Sequence, residues 1–263
     1  MPRLAVLGHP VGHSRSPAMQ TAALADLGLG ADWSYEAIDV APNHFEAMVH
    51  SMPDQGFAGA NVTVPHKGAA LTVADNPSET AREIGAANTL SFVGGEVNAD
   101  NTDAPGVLDA LPDPPAGRRA LILGAGGAAR AVVWSLVREG AEVEVWNRTE
   151  LRSANLCEEL GGAPVVDPDQ ADYGLIINAT AVGLGDESPF EELPLRADGF
   201  AAGQTVVDMV YGPAPTELIT AASEAGATAV DGIEVLVHQG AHSLRIWTGR
   251  EPSLDVMRAA ARS

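Results

Sequence analysis

The sequence has little cysteine and no long hydrophobic run, and each shortage excludes a class of protein. Cys157 is the one cysteine of the chain, so no internal disulfide can form, and this usage fits a reducing cytoplasm. No run of about 18 apolar residues occurs, which argues against a membrane-spanning helix. Glycine interrupts the first residues, Met1 to Gly8, too early for a signal peptide. We therefore expect a cytoplasmic protein with no membrane partner.

Positive charge is scarce as well. Asp and Glu total 35 while Lys and Arg total 15, which gives a formal net charge of −20. A surface of that sign repels nucleic acid and anionic lipid, so we expect neither as a partner. Acidity for solubility alone is one interpretation. We favour a halophilic-type acidic surface, because at molar salt the Debye length falls to about 3 Å and screens the self-repulsion of such a surface.

Lysine is almost absent. Lys67 is the one lysine, and the remaining cations are arginine. Arginine can supply an ordinary surface charge but does not release its proton. Lys67 is therefore a candidate for chemistry that arginine cannot perform.

A glycine-rich turn follows a predicted apolar strand, Arg119 to Leu123, and opens a predicted helix. Its pattern is Gly124-x-Gly126-x-x-Ala129. In a strand–turn–helix context this pattern indicates dinucleotide binding, because glycine permits the tight turn and lets the pyrophosphate approach helix N-terminal amides. An ordinary glycine-rich turn is the alternative. The cofactor-binding residues predicted here are Gly124, Gly126, Gly127 and Ala128.

The next strand ends at Asn147-Arg148-Thr149, which bears on the identity of the dinucleotide. An NAD site has a carboxylate at this position for the ribose 2′-hydroxyl, and none is present. Arginine instead suits a 2′-phosphate, because its planar donor fork always carries charge. We predict NADP, held by these residues; the alternative is that Arg148 is a solvated charge and Thr149 caps the next helix.

Strands and helices alternate along the whole chain, and hydrophobic residues make up 46% of it, which predicts an α/β protein with real cores. Among the local elements we expect Ser16 to cap a helix, Gly59 to Val64 to form a strand, and Val165-Val166 to form another. The proline-rich segment Leu111 to Gly117 marks the clearest break.

Uncharged hydrogen-bonding side chains gather at the ends of the predicted strands in the N-terminal part. Asn61 and Thr63 are two residues apart on a strand and should share a face. Pro65 ends that strand and places Lys67 beyond its carboxyl end, where open α/β sheets bind ligands. Such a set suits a polyhydroxylated substrate better than a phosphate ester. The members are Ser14, Ser16, Asn61, Thr63 and Asn88.

Several motifs occur together in order: Ser14-Arg-Ser16, Val64-Pro-His-Lys67, Asn101-Thr-Asp103 and Gly232 to Gln239. With the glycine-rich turn, they make nearly the whole chain resemble the shikimate dehydrogenase family. The resemblance implies reversible NADPH-dependent reduction of 3-dehydroshikimate to shikimate, in aromatic amino-acid biosynthesis. It implies that Lys67 and Asp103 are catalytic and leaves open whether Lys67 alone moves the proton or the two share that role.

The same resemblance implies a substrate contact for Gln239 and cofactor contacts for Met209, Tyr211, Gly232 and, more weakly, Glu79. It also implies two domains. We predict a substrate-binding domain over residues 1–101, an NADP-binding Rossmann domain over residues 102–238, and C-terminal helices, 239–263, that pack back on the first domain.

Two rival functions remain at this point. One is a quinate/shikimate dehydrogenase that uses NAD, against which Arg148 argues; the other is a non-catalytic NADP-binding regulator, against which Lys67 and Asp103 argue. His238 and His242 have a metal-like spacing on a helix, but no third ligand is evident and we expect no metal. A homodimer is left open.

Overall fold

The computed structural model describes residues 1–185 and 187–263, which divide into two compact units. Unit 1 comprises Met1–Gly106 together with Leu236–Ser263, and unit 2 comprises Val107–Val235. Unit 2 is a few residues shorter at each end than the domain predicted over residues 102–238. Both boundaries between the units fall inside helices. The α/β class is confirmed. Within the described ranges, no helix is long and apolar enough to cross a bilayer.

Unit 1 is built on a mixed six-stranded sheet in the order β2-β1-β3-β5-β6-β4. The three strands β2, β1 and β3 are parallel, while β5 runs antiparallel to β3 and β6. Their ranges are β1 Arg3–Gly8, β2 Ser34–Asp39, β3 Phe57–Val62, β4 Asn76–Pro77, β5 Thr89–Val93 and β6 Glu96–Asp100.

Short helices follow the strands of unit 1 and cover a core that includes Leu7, Phe45, Val62 and Leu90. The helices are α1 Ser16–Asp26, α2 Phe45–Ser51, α3 Lys67–Val73, α4 Glu79–Ile84 and α5 Asp103–Ala110. Because α3 and α5 begin at Lys67 and Asp103, the first turn of each helix carries one of the two predicted catalytic residues.

Unit 2 is built on a six-stranded, entirely parallel sheet in the order β12-β11-β10-β7-β8-β9. This is the doubly wound order of the dinucleotide-binding fold, in which ligands bind at the carboxyl ends of the strands where the order reverses. The strands are β7 Arg119–Leu123, β8 Glu142–Trp146, β9 Ala163–Pro164, β10 Leu175–Asn178, β11 Thr205–Asp208 and β12 Thr228–Val230.

The central strand β7 shows why this sheet is covered on both faces. Ala120 and Ile122 point into one apolar cluster, while Leu121 and Leu123 point into the other. Alternate residues of a strand face opposite sides, so a strand that is apolar at every position must be buried twice. The covering helices are α6 Gly127–Arg138, α7 Glu150–Leu160, α8 Pro189–Glu192 and α9 Glu217–Glu224.

The chain ends with two helices, α10 Gly232–Thr248 and α11 Leu254–Ala261. From Leu236 onwards they belong to unit 1, where α11 packs against α1. Cys157, the single cysteine, is buried in the core of unit 2, and burial raises the pKa of its thiol.

Three local expectations were wrong. Arg15, not Ser16, occupies the N-cap position of α1, because the Ser16 amide donates to Ser14 Oγ at 3.3 Å and Ser16 is already helical. Strand β3 ends at Val62 rather than Val64, since the chain turns there and the His66 amide donates to the Thr63 carbonyl. The short strand after α7 is Ala163–Pro164 rather than Val165-Val166; Val166 is exposed.

Candidate active site

Lys67 and Asp103 form a shielded ion pair in unit 1. The distance from Lys67 Nζ to Asp103 Oδ2 is 2.6 Å, and only 13% and 6% of the two side chains are exposed. Asp103 begins α5 under an Asn101 side chain whose Oδ1 accepts from the Asp103 and Ala104 amides, which fixes the first turn of the helix. The two residues predicted to be catalytic are therefore in contact although 36 positions separate them in the sequence.

The amide of Asn88 lies beside this pair, and its orientation is determined by its partners. Its Oδ1 accepts from the Thr102 backbone amide at 2.7 Å, and because that group can only donate, the other end of the side chain must be the NH₂ group. Nδ2 then lies 2.9 Å from Asp103 Oδ1 and 3.2 Å from Gln239 Oε1. Asn88 thus links the predicted catalytic carboxylate to a predicted substrate ligand.

Gln239 reaches the site because α5 and α10 approach each other very closely. A Cβ atom on Gly106 would lie 2.7 Å from both the backbone N and the Cβ of Gln239, so only glycine fits there. The Gln239 side chain donates from Nε2 to the Leu236 carbonyl at 2.8 Å. Its Oε1 is held by one N–H of Asn88, a neutral bond that an incoming hydroxyl can replace.

The Ser14–Ser16 segment forms the turn before α1. Ser16 is buried and Ser14 is half-buried. Between them, the Arg15 guanidinium donates a hydrogen bond to the Ser263 carbonyl at 3.2 Å and so contacts the last residue of the sequence. The described contacts do not join the two serines to Lys67 or Asn88, and their role as substrate ligands remains a prediction.

Asn61, a predicted substrate contact, is held by hydrogen bonds to neighbouring protein groups. It is buried, its Oδ1 accepts from Tyr35 at 2.8 Å, and its Nδ2 donates to Ser243 Oγ at 2.8 Å. A second N–H faces the Asn88 carbonyl at 3.3 Å. These partners use both hydrogens of the amide, and the role of Asn61 as a substrate ligand remains a prediction.

Thr63 lies beyond the end of β3 and is only partly buried, so the expectation that it shares the strand face of Asn61 does not apply. Gly8 makes room for it, since a Cβ there would lie 2.5 Å from Thr63 Cγ2.

His66 directly precedes Lys67, and two contacts fix its ring. Its Nε2 lies 2.7 Å from the Val40 carbonyl, which can only accept, so Nε2 carries the hydrogen. The ring stacks on Phe45 with centroids 4.5 Å apart. Burial lowers the pKa of His66, and the neutral ring therefore anchors the start of α3 at neutral pH.

In unit 2, the glycine-rich turn has the geometry of a phosphate site. Gly124 adopts φ +110°, a conformation that side chains disfavour, and a Cβ there would also approach Thr180 and Ala179. Gly126 is the extended N-cap of α6, and a Cβ on it would meet no atom within 4 Å. Gly127 and Ala128 form the first helical positions, and the buried Ala129 packs on the sheet. Amides at this helix start can bind phosphate.

At the end of β8, the Arg148 side chain is 84% exposed, and its guanidinium lies 3.7 Å from a Glu192 carboxylate oxygen. Asn147 donates to the Thr149 carbonyl at 2.9 Å, which closes the turn. Thr149 is the N-cap residue of α7 but makes no side-chain capping bond. Arg148 thus presents an exposed cation at the end of β8, and a group of this kind fits the 2′-phosphate of NADP.

Further along the same sheet edge, Gly232 begins α10 against the loop that follows β11. A Cβ on Gly232 would lie 2.7 Å from the Met209 carbonyl and 2.6 Å from that of Val210. Tyr211 follows and is partly buried. Glu79 lies on the first turn of α4 in unit 1, and its cofactor contact remains a prediction.

A buried carboxylate orders this edge of unit 2. Asp208 accepts from Thr216 Oγ1 at 2.6 Å, from Asn178 Nδ2 at 2.9 Å and from the Val210 amide at 3.1 Å. Burial raises its pKa, and the three donors oppose that rise. Asp208 thereby ties together the loops that follow β10 and β11.

For the described residues, no group of three or more His, Cys, Asp and Glu side chains is arranged to hold a metal ion. The spacing of His238 and His242 on α10 is therefore not accompanied by a third ligand in that part of the chain.

Sequence reasoning missed the residues beneath the site. Thr89, Thr102 and Ser243 bring three hydroxyl groups within 3.1 Å of one another under Asn88. A signal existed for Ser243, because it follows Gln239 by one helical turn and must share its face.

Three family profiles match the chain. The shikimate dehydrogenase substrate binding domain matches residues 6–90, shikimate/quinate 5-dehydrogenase matches residues 111–181, and the shikimate 5′-dehydrogenase C-terminal domain matches residues 232–262.

Full-length relatives agree with these profiles. The chain is 42% identical to shikimate dehydrogenase (NADP(+)) of Methanocella arvoryzae, over 98% of this chain and 97% of the relative. Identity to a Thermus thermophilus enzyme of the same name is 44%, over 100% of this chain and 98% of the relative. The crystal structure of a Thermus thermophilus shikimate 5-dehydrogenase, in complex with NADP(H) and shikimate, superposes with a TM-score of 0.91 at 43% identity and covers 100% of this chain and 99% of that one.

The doubly wound unit and the lysine–carboxylate pair define a dinucleotide-dependent oxidoreductase of two α/β units. Within that class, the chain belongs to the shikimate dehydrogenase family.

Proposed function

We propose that this protein catalyses the reversible NADPH-dependent reduction of 3-dehydroshikimate to shikimate, a step of aromatic amino-acid biosynthesis. The observation that carries the proposal is the shielded Lys67–Asp103 pair, which lies among neutral hydrogen-bonding groups. Full-length relatives of the chain are named shikimate dehydrogenase (NADP(+)), which supports the same reaction. Neutral donors and acceptors suit the hydroxyls of a polyol acid.

We propose that Lys67 moves the proton and that Asp103 orients it. An ammonium has three N–H groups, and Asp103 Oδ2 takes one of them, so others can point at a substrate oxygen. The second oxygen of Asp103 is held by Asn88, which keeps the carboxylate fixed. NADPH supplies the hydride when it is bound. In ketone reduction Lys67 Nζ gives a proton to the carbonyl oxygen, and in alcohol oxidation it takes the hydroxyl proton back.

The remaining contacts follow from the same placement. We assign the substrate ring hydroxyls to Lys67, Asn88, Asp103 and Gln239, and the substrate carboxylate to Ser14 and Ser16. Thr63 and Asn61 stay candidate ligands at the end of β3; the amide of Asn61, like that of Asn88, also bonds protein groups.

For the cofactor, we propose that the start of α6 binds the pyrophosphate and that Arg148 binds the 2′-phosphate of NADP. Asn147 and Thr149 shape the turn that presents Arg148. Met209, Tyr211 and Gly232 are assigned to the nicotinamide half, at the edge that Asp208 orders. Unit 2 is then the NADP-binding domain, and unit 1 the substrate-binding domain.

The acidic surface supports a further proposal about the working environment. Among the described Asp and Glu residues, only Asp103 and Asp208 are buried, so most of the charge faces solvent. We propose adaptation to the cytoplasm of a salt-accumulating cell, with small molecules rather than nucleic acid or lipid as partners. The midpoint of thermal unfolding should then rise with KCl; light scattering in the same buffers determines whether the chain is a homodimer.

The reaction is tested by NADP⁺ reduction, followed by absorbance, with shikimate in about 1 M KCl. Quinate and NAD⁺ are run alongside, and Lys67→Arg is the charge-matched control. Turnover of shikimate with NADP⁺, lost in the control, supports the proposal. Preference for quinate or NAD⁺ would overturn the assigned specificity. A folded wild-type protein that binds NADP⁺ but turns over neither alcohol would indicate a regulator.

A further inference from the structure

The hydroxyl of Ser243 occupies a central position beneath the proposed site. Ser243 lies on α10 and has no exposed surface. Its Oγ is 2.8 Å from Asn61 Nδ2, 2.8 Å from Thr89 Oγ1 and 3.0 Å from Thr102 Oγ1. It also donates to the Gln239 carbonyl one turn earlier, at 3.1 Å.

Each of these partners belongs to a different segment of the site. Asn61 is on β3, the strand that leads to Lys67; Thr89 follows Asn88; and Thr102 precedes Asp103. One hydroxyl therefore fixes the helix that carries Gln239 relative to the three segments that carry the reacting pair and Asn88.

Without the Ser243 hydroxyl, its three side-chain partners would have to rely on their other contacts. Asn61 Nδ2 has its shortest contact with Ser243, and its other acceptors, the Asn88 carbonyl and Thr89 Oγ1, lie at 3.3 and 3.4 Å. Thr89 Oγ1 and Thr102 Oγ1 also lie 3.1 Å from each other, but only one of these hydroxyls can donate to the other. Without Ser243, the second one must donate to Asn88 Oδ1, which lies 3.2 Å from Thr89 Oγ1 and 3.1 Å from Thr102 Oγ1. Because buried polar groups must keep partners, loss of this hydroxyl would redirect bonds onto Asn88.

We propose that Ser243 is a positioning residue of the reaction: it touches neither substrate nor cofactor, and it holds Asn88 and Gln239 in the geometry that grips the substrate. The proposal rests on the proposed function for its kinetic consequence only.

The test compares Ser243→Ala with Ser135→Ala. Ser135 is an equally buried helical serine in α6 of unit 2, and its hydroxyl donates to the Val132 carbonyl of its own helix. For Ser243→Ala we expect kcat/KM for shikimate to fall about tenfold, mainly through KM, with KM for NADP⁺ unchanged. Ser135→Ala should leave both values unchanged. Wild-type kcat/KM in a folded Ser243→Ala protein would overturn the proposal.

Folding is controlled by a second variant. Ser243→Cys keeps a side chain of similar size with a weak S–H donor and should give an intermediate kcat/KM. If Ser243→Ala does not fold, Ser243→Cys carries the test alone, and a wild-type KM for shikimate in that variant overturns the proposal.

A readout that needs no substrate separates this proposal from the proposed function. Since Lys67 is the one lysine, mass spectrometry of the peptide that contains it separates its acetylation from that of the N-terminal amine and reports its rate. Disturbing Asn88 loosens Asp103 and exposes the amine, so Lys67 acetylation should be several-fold faster in Ser243→Ala than in wild type or Ser135→Ala. If wild type does not oxidise shikimate, the function fails while this comparison still decides the role of Ser243; equal rates would refute it.

Discussion

Replacing Lys67 by methionine removes both proposed roles of the ammonium, which are to neutralise Asp103 and to transfer the proton. The variant keeps most of the side-chain volume but leaves the Asp103 carboxylate, whose side chain is 6% exposed, without its counter-ion. Breaking a buried pair by removing one partner typically costs about 3 to 5 kcal/mol. We expect about 3 kcal/mol of destabilisation, at the low end of that range, because Asn88 still donates to Asp103 Oδ1.

Two further variants separate the loss of charge from the loss of the amine. Lys67→Met/Asp103→Asn removes the orphaned charge as well and should recover most of the lost stability, since both partners are then neutral. Lys67→Arg keeps the positive charge and should stay close to wild type in stability. All three variants should lose activity by about 10²- to 10⁴-fold, because none of them retains an amine that can give up its proton.

The assay is urea unfolding at one fixed KCl concentration, paired with initial rates on the same preparations. Holding the salt constant keeps surface repulsion equal among the variants. A Lys67→Met protein as stable as wild type would refute the shielded-pair reasoning. So would a double variant less stable than the single one, because the cost could not then come from an uncompensated carboxylate.

Three other changes should have separable effects. Arg148→Gln should raise KM for NADP⁺ about tenfold and leave KM for NAD⁺ unchanged; equal changes would remove Arg148 from the 2′-phosphate site. Gly106→Ala should lower kcat/KM for shikimate without altering KM for NADP⁺, because its Cβ would lie 2.7 Å from the Gln239 backbone; unaltered kinetics would show that the helices can separate freely. Burial raises the pKa of Asp208, so the folded state binds the extra proton and stability declines as pH rises from 3.8 through the raised folded value. Asp208→Asn should lack that decline, which urea unfolding at stepped pH would measure; parallel pH curves for the two proteins would contradict it.

The dinucleotide unit was largely predictable from local signals. Strand β7 is apolar at every position from Ala120 to Leu123, which requires burial on both faces, and the glycines that follow fit only a tight turn into a helix. The short strand after α7 was misplaced because Val165-Val166 has strand propensity, while pairing with β8 is made by Ala163–Pro164. Propensity does not encode which residues find a partner.

The substrate site was harder to predict. Polar residues at strand ends could be recognised, but their partners could not, because the contacts span long separations such as the 182 positions between Asn61 and Ser243. Alternation placed Asn61 on a polar face, yet only the fold shows that Tyr35 and Ser243 already satisfy its amide. The amide of Asn88 is also bonded within the protein, and its Nδ2 faces Asp103, Gln239 and Thr102 Oγ1.

The charge distribution of the chain also follows a physical rule. Of the buried carboxylates in the described residues, Asp208 is held by neutral donors, and Asp103 is paired with the single lysine. Salt screens exposed charges effectively and shielded pairs much less. A sequence can therefore gain surface acid and lose surface lysine under high salt without weakening the Lys67–Asp103 pair. On the proposed salt adaptation and the proposed mechanism, lysine is retained where an ammonium must both neutralise a buried carboxylate and exchange a proton, and Lys67 is that position.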